Sequence, residues 1–164
     1  MEWRPIDDYE NYSISSTGQV RNDTTEKILK QKLRHDGYCR VGLQKDGKVK
    51  KHYIHRLVAL AFIPLEPGKD FVDHKDGHPE NNSLTNLRWC TQQENIRNAS
   101  LSKVNTSGVK GVRFENGKWR AQIMVDGKRI HLGSFETIEE AAAVRSARAQ
   151  QVFGLFTNAC ENKM

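Results

Sequence analysis

The sequence predicts an α+β protein in three small modules: a β-hairpin module at the N-terminus, a central strand–loop–strand–helix unit, and a C-terminal three-stranded antiparallel sheet with one packed helix. Two sets of local signals carry this. Asp46-Gly47, Asn116-Gly117 and Asp126-Gly127 each separate runs of strand-like residues, as two-residue hairpin turns do. Thr91-Gln-Gln-Glu94 and Thr137-Ile-Glu-Glu140 are capping boxes, in which a threonine hydroxyl and a glutamate satisfy the first free amides of a helix. Only 37% of the 164 residues are hydrophobic and the mean hydropathy is −0.73, so small modules fit better than one large core. The expected boundaries are 1–54, 55–99, a linker at 100–107, 108–158, and a tail at 159–164.

Cys39, Cys90 and Cys160 form no C-x-x-C pair and leave an odd count, which argues against a disulfide framework and a structural zinc. No apolar run approaches the roughly 20 residues of a membrane span, and Met1-Glu2-Trp3-Arg4 does not open a signal peptide. The expectation is a soluble cytoplasmic protein with no membrane partner.

The net charge of +6 is unevenly spread. Residues 27–56 hold ten lysines and arginines against two acids, and residues 109–132 hold six against two, whereas 73–100 is slightly acidic. Basic arms flanking a carboxylate-bearing centre point to a polyanion gripped on either side of a reactive site.

In the N-terminal module, Tyr12-Ser-Ile14-Ser and Gly18-Gln-Val20-Arg read as one hairpin; Tyr38 to Leu43 and Val49 to Ile54 read as a second. The second presents Arg40, Lys45, Lys48 and Lys50 on a two-stranded ribbon able to enter a DNA groove or follow a phosphate backbone. His55 to Ile63 is a short helical run stopped by Pro64.

The central stretch, Val72 to Asn98, reads VDHKDGHPENNSLTNLRWCTQQENIRN. Phe71 to His74 and Leu87 to Trp89 read as strands, Lys75 to Ser83 as a loop, and a helix starts near Gln92 with Asn95 in its first turns and Ile96 and Ala99 as burial candidates. A carboxylate beside an imidazole, followed by an amide-rich loop, is the chemistry of a metal site. An EF-hand is excluded because Gly77 is the fifth residue from Asp73 instead of the sixth, and Gly77 and Pro79 exclude a helical zinc pair from His74 and His78.

On Asp73-His74, Asn86 and Asn95, residues 55–99 resemble the HNH nuclease motif, a ββα-metal fold, in its phage and intron-borne homing-endonuclease form. Glu2-Trp-Arg-Pro-Ile and Tyr12-Ser-Ile-Ser are similar to the nuclease-associated module that often precedes it. The resemblance implies that Asp73 and Asn95 bind one divalent ion, that His74 is the general base, and that Asn86 hydrogen-bonds the loop backbone to fix His74. Two oxygen ligands leave positions for water and substrate and favour Mg²⁺ or Mn²⁺ over a closed zinc site. Strand neighbours point to opposite faces, so a strand end or bulge is expected at His74 if both residues serve one centre.

In the last module, Gly111 to Glu115, Lys118 to Val125 and Lys128 to Leu132 read as three strands with one apolar and one basic face. A helix from Thr137 to about Phe153, with Ala141, Ala142, Ala143, Ala147 and Ala149, covers the apolar side. Gly111-Val-Arg113, Gly117-Lys-Trp119, Arg129-Ile-His-Leu-Gly133 and Glu139-Glu-Ala-Ala142 resemble the Apetala-type ethylene-response-factor DNA-binding domain, which phage HNH endonucleases also carry. That resemblance implies DNA-facing positions at Lys110, Arg113, Gln122, Arg129 and His131, and Arg120 shares their face. Arg145-Ser146 departs from that domain's usual Tyr-Asp pair.

The function expected is site-directed hydrolysis of phosphodiester bonds in double-stranded DNA by a phage- or mobile-element-encoded enzyme in a bacterial host, acting as a monomer or as a dimer. The alternatives are a DNA-binding transcriptional regulator on an inactive nuclease scaffold, which metal-dependent cleavage separates, and an RNA-processing nuclease, which a direct comparison of RNA with duplex DNA separates.

Overall fold

The computed structural model describes residues 1–98 and 105–154. Ala99, most of the expected linker, Cys160 and the tail lie outside the described residues. The chain gathers into two units, residues 1–95 and 96–164.

The first unit opens with two three-stranded sheets. β1 (Trp3–Ile6), β2 (Tyr9–Ser15) and β3 (Val20–Asn22) form one, in that order; β4 (Lys32–Leu33), β5 (Cys39–Lys45) and β6 (Lys48–Tyr53) form the other. The hairpin expectation holds for β2–β3 and β5–β6, and each gains a strand that local pattern did not mark. Asp46 and Gly47 both have positive φ, 52° and 72°, as a turn matching strand twist requires. The short α1 (Ile54–Phe62) follows, then β7 (Phe71–His74), a 3-10 turn at Leu84–Asn86, β8 (Leu87–Cys90) and α2 (Gln92–Asn98).

One apolar core joins the two sheets, α1 and the β7–β8 pair. Ile14 and Val20 from the first sheet, Val41 and Leu43 from the second, Ile54, Leu57 and Val58 from α1, and Val72, Leu87 and Trp89 from the β7–β8 pair belong to a single buried cluster. α1 has no side-chain cap at its N-terminus, so its support comes from this apolar face.

In the second unit β9 (Val112–Glu115), β10 (Lys118–Val125) and β11 (Lys128–Phe135) form a sheet with β10 in the middle, followed by α3 (Ile138–Phe153). β11 runs three residues beyond the expected strand because the register shifts between Ala121 and Gln122, absorbing Leu132. Thr137 and Glu140 form the capping box that the sequence predicts. Of the five alanines assigned to close packing, Ala141, Ala142 and Ala149 are buried, while Ala143 and Ala147 face outward. Gly111 is required where it stands: its φ is +73°, and a Cβ would lie 2.4 Å from the Gln122 carbonyl oxygen and 2.8 Å from Arg145 Nε.

Candidate active site

β7 and β8 pair antiparallel, with Asp73 opposite Arg88 and His74 opposite Leu87. The register is continuous, and of the strand end or bulge expected at His74 the structure has the strand end. The Lys75 amide donates to the Asn86 carbonyl at 2.8 Å and the Gly77 amide to the His74 carbonyl at 2.8 Å, turning the chain at once. Strand alternation gives the two neighbours different surroundings.

Asp73 is 4% exposed, and Nε and Nη2 of Arg88 sit 2.8 and 2.6 Å from its Oδ2. Sequence reasoning missed Arg88. Its role follows from the register, which a long loop leaves unspecified.

His74 is 5% exposed and packs against other rings: Tyr38 at 5.9 Å and His55 at 5.2 Å between centroids. His55 in turn lies 5.3 Å from Tyr53. Nε2 of His74 is 3.4 Å from Oδ1 of the buried Asn82. Burial pulls the His74 pKa below its ordinary value, although the Asn82 hydrogen bond and the charges of Asp76 and Asp73 oppose that shift. Burial, helped by His74 and Arg56, pushes His55 down to about 3. Both shifts favour the uncharged ring, the state a proton acceptor needs.

Asn86 ties the loop together. Its Oδ1 accepts from the Asp76 amide at 3.1 Å, and its Nδ2 donates to Asp76 Oδ1 and the Asn81 carbonyl, both at 2.9 Å. Burial raises the Asp76 pKa, but the His78 amide and the Asn81 and Asn86 side chains outweigh it and hold the carboxyl below the usual range. The loop is seated on the first sheet's turn: the Leu84 amide donates to the Ser16 carbonyl at 2.8 Å, and a Cβ on Gly18 would lie 2.9 Å from Asn82 Cβ.

Thr91 caps α2 as predicted, its amide donating to Glu94 Oε2 at 2.8 Å and its Oγ1 accepting from the Glu94 amide at 3.3 Å. Asn95 follows in the first turn, half-buried, its amide bonded to the Thr91 carbonyl at 3.1 Å. Ile96, expected inside, is 62% exposed, and Asn98 is buried instead. The donors on these elements, a carboxylate at Asp73 and an amide oxygen at Asn95, are hard oxygens. Among the described residues no group of three His, Cys, Asp or Glu could hold a metal ion. This donor set fits a hard divalent ion that completes its shell with water and substrate, and not a closed thiolate or imidazole site.

The predicted DNA contacts divide. Arg40 stacks on the Tyr53 ring, Cζ 3.8 Å from its centroid, and donates to the Tyr53 hydroxyl. Lys45 pairs with Asp8 at 3.8 Å, and Lys48 and Lys50 flank the same groove. In the second unit Arg113 faces Arg120 across β9–β10, and Gln122 faces His131 and Met124 faces Arg129 across β10–β11, so these side chains share the sheet face opposite Ala121 and Ile123. Glu115, which the sequence reading passed over, accepts from Arg113 Nη2 at 3.0 Å and from Arg120 Nη1 at 2.5 Å. Its pKa is lowered chiefly by the Arg120 hydrogen bond. Lys110 does not join this face: its Nζ donates to the Ile96 and Arg97 carbonyls at the end of α2, at 3.3 and 2.8 Å.

This architecture has relatives. The NUMOD4 motif matches residues 1–44 and the HNH endonuclease family matches residues 52–97. The DNA endonuclease I-HmuI of Bacillus phage SP01 is 42% identical over 130 residues, covering 77% of this chain and 75% of the relative. The chain belongs to the HNH homing endonuclease family. A solved structure of I-HmuI, described as DNA binding and cleavage by that HNH homing endonuclease, superposes with a TM-score of 0.57 at 36% identity over 94% of this chain and 84% of the other. An HNH endonuclease of Acanthamoeba polyphaga mimivirus is 35% identical over 85% of this chain, which spans 39% of that protein's length. The α+β fold class and the nuclease assignment stand, and membership favours the enzyme over the regulator. No helix among the described residues is long and apolar enough to cross a membrane.

Proposed function

We propose that this chain hydrolyses phosphodiester bonds in double-stranded DNA in the cytoplasm of a phage-infected cell, with His74 as general base. A water oxygen attacks phosphorus, the bond to the 3′ oxygen breaks, His74 takes the proton that the attacking water loses, and the departing 3′ oxygen takes a proton from solvent; a 5′ phosphate and a 3′ hydroxyl result. The Asn82 side-chain oxygen, 3.4 Å from Nε2 of His74, holds the ring in place by a hydrogen bond. Asp73 and Asn95 would hold one Mg²⁺ or Mn²⁺ ion, which when bound neutralises charge on the phosphate and helps the 3′ oxygen depart. Arg88 orients the Asp73 carboxylate through its Nε and Nη2 contacts, and Asn86 holds the loop that follows His74. Arg113, Arg120, Gln122, Arg129 and His131 form a second DNA-contacting surface of Apetala type.

The observation that carries this reading is the buried Asp73-His74 pair at the end of β7, within the HNH match. Its test is plasmid nicking in Mg²⁺ by wild type, His74→Ala and Asp73→Asn, with duplex binding measured in parallel. Loss of nicking with binding retained is expected; undiminished nicking by His74→Ala overturns the assignment.

A further inference from the structure

The four cations expected to contact DNA in the N-terminal module do not lie on one face. The two-residue turn pairs Lys45 with Lys48, so Leu43 faces Lys50 and Val41 faces His52. Val41 and Leu43 are buried in the core, which makes this the inner face of the sheet. Along its rim Lys45, Lys48 and Lys50 share a groove with Asp7, Asp8 and Asp46, so cations and carboxylates balance. A polyanion gains little there.

The outer face is different. Lys32 pairs with Arg40, Arg40 with Tyr53, and Gly42 with Lys51, placing these residues in adjacent rows on the solvent side. Lys32, Arg40, Gly42 and Lys51 line a groove of about 380 Å³ together with Lys30 and Arg34, and none of its lining residues is acidic. Among the described residues only Arg34 of these cations has a carboxylate partner, Asp36 at 3.1 Å just outside the groove. Gly42 keeps the floor open, since a Cβ there would meet Val49 Cγ1 at 2.9 Å. Arg40 forms the floor's charge, and its buried Nε has no hydrogen-bond acceptor among the described residues.

The groove also reaches the reactive centre through packed rings. Arg40 lies on Tyr53, Tyr53 lies 5.3 Å from His55, and His55 lies 5.2 Å from His74. An anion on Arg40 is therefore two rings away from the proposed base.

We propose that this outer groove of β4–β5–β6 is the N-terminal phosphate-binding site for the DNA duplex, with Lys30, Lys32, Arg40 and Lys51 contacting its backbone, and that Lys45, Lys48 and Lys50 make no such contact. The proposal rests on the reading of the chain as a DNA nuclease. It reverses the side of the hairpin that meets DNA and sets the bound phosphates beside the scissile one.

The test compares two triple variants of the full chain, Lys30→Gln/Lys32→Gln/Lys51→Gln and Lys45→Gln/Lys48→Gln/Lys50→Gln, with wild type. The probe is a mixed-sequence duplex DNA, with affinity measured in EDTA across about 0.05–0.2 M salt, the range over which phosphate contacts dominate. Each lost contact lowers the slope of log K against log salt by about 0.9, or roughly eightfold in affinity for each tenfold step in salt. The first triple is expected to lose more than two units of slope and the second to match wild type. The reverse pattern, or no change in either, overturns the proposal, as does an affinity loss confined to an RNA duplex of the same sequence. Plasmid nicking in Mg²⁺ separates the two readings. A nicking enzyme whose groove variant still binds normally sinks only the groove, whereas a wild type that binds through the groove and never nicks sinks only the hydrolysis.

Discussion

In the first unit the polar side chains of interest are inside: Asp73, His74, Asn82 and Asn86 are all buried, beside a core that includes the fully buried Ile14, Val20, Leu43, Ile54 and Val58. In the second, the candidate contacts Arg113, Arg129 and His131 are exposed, over a core whose buried members are Val112, Ala121 and Ala141. Chemistry on a phosphate needs an uncharged imidazole and a fixed carboxylate, and burying both costs free energy that a large apolar cluster must offset. A binding face needs only a flat sheet with charge on one side. The size of each core follows the demand placed on it.

That contrast can be broken. The largest expected effect is at His74: replacement by alanine should lower the nicking rate by about 10² to 10⁴, the usual worth of a general base, while duplex affinity stays near wild type. No single substitution on the second unit's sheet should approach this, because Arg113, Arg120 and Arg129 act additively on affinity. A single-turnover nicking series over both sets checks it.

Arg88→Ala should destabilise the first unit by about 3 kcal/mol, because it leaves the Asp73 carboxylate buried without its arginine. Arg113→Ala, in an exposed pair with Glu115, should change stability by less than about 1 kcal/mol. Urea unfolding followed by hydrogen exchange resolves the two units, and equal losses would erase the contrast.

Acid should act on the first unit through His55. Its folded pKa of about 3 lies below the ordinary 6.5, so between those values the unfolded chain binds a proton that the folded chain does not. Stability contributed by keeping this ring neutral is present above about pH 6.5 and is lost as pH falls towards about 3. His55→Gln should flatten that part of the stability curve; an unchanged slope would show that His55 takes up its proton in the folded state.

The smallest effect sharpens the comparison from the other side. Thr91→Ala and Thr137→Ala each remove a capping box and should each cost about 1 kcal/mol, because a cap is a local device that does not depend on core size. Thermal melts of the two variants should therefore agree while the Arg88 and Arg113 variants differ.

Much of this molecule was legible in its sequence. The turns at Asp46-Gly47, Asn116-Gly117 and Asp126-Gly127 have positive φ at both residues, as those dipeptides require. Both capping boxes form, and the strands around Asp73-His74 and Arg88-Trp89 lie where alternation puts them. These signals span a few residues, so local sterics and hydrogen bonding suffice to set them. Even the split of Arg40 from Lys45, Lys48 and Lys50 follows from a two-residue turn and period-two alternation.

Other features depended on the chain returning to itself. Arg88 meets Asp73 across 15 positions, and the Ser16–Gly18 turn seats a loop more than 60 residues later. Tyr38 and His55 wall His74, and β4 adds Lys32 to the groove of Lys51. The sequence by itself determined most of the elements, the turns and the residue types able to hold an ion and move a proton. Tertiary structure alone decided their neighbours, because burial and cross-strand partners are set by long-range register, and those neighbours govern the charge of each group.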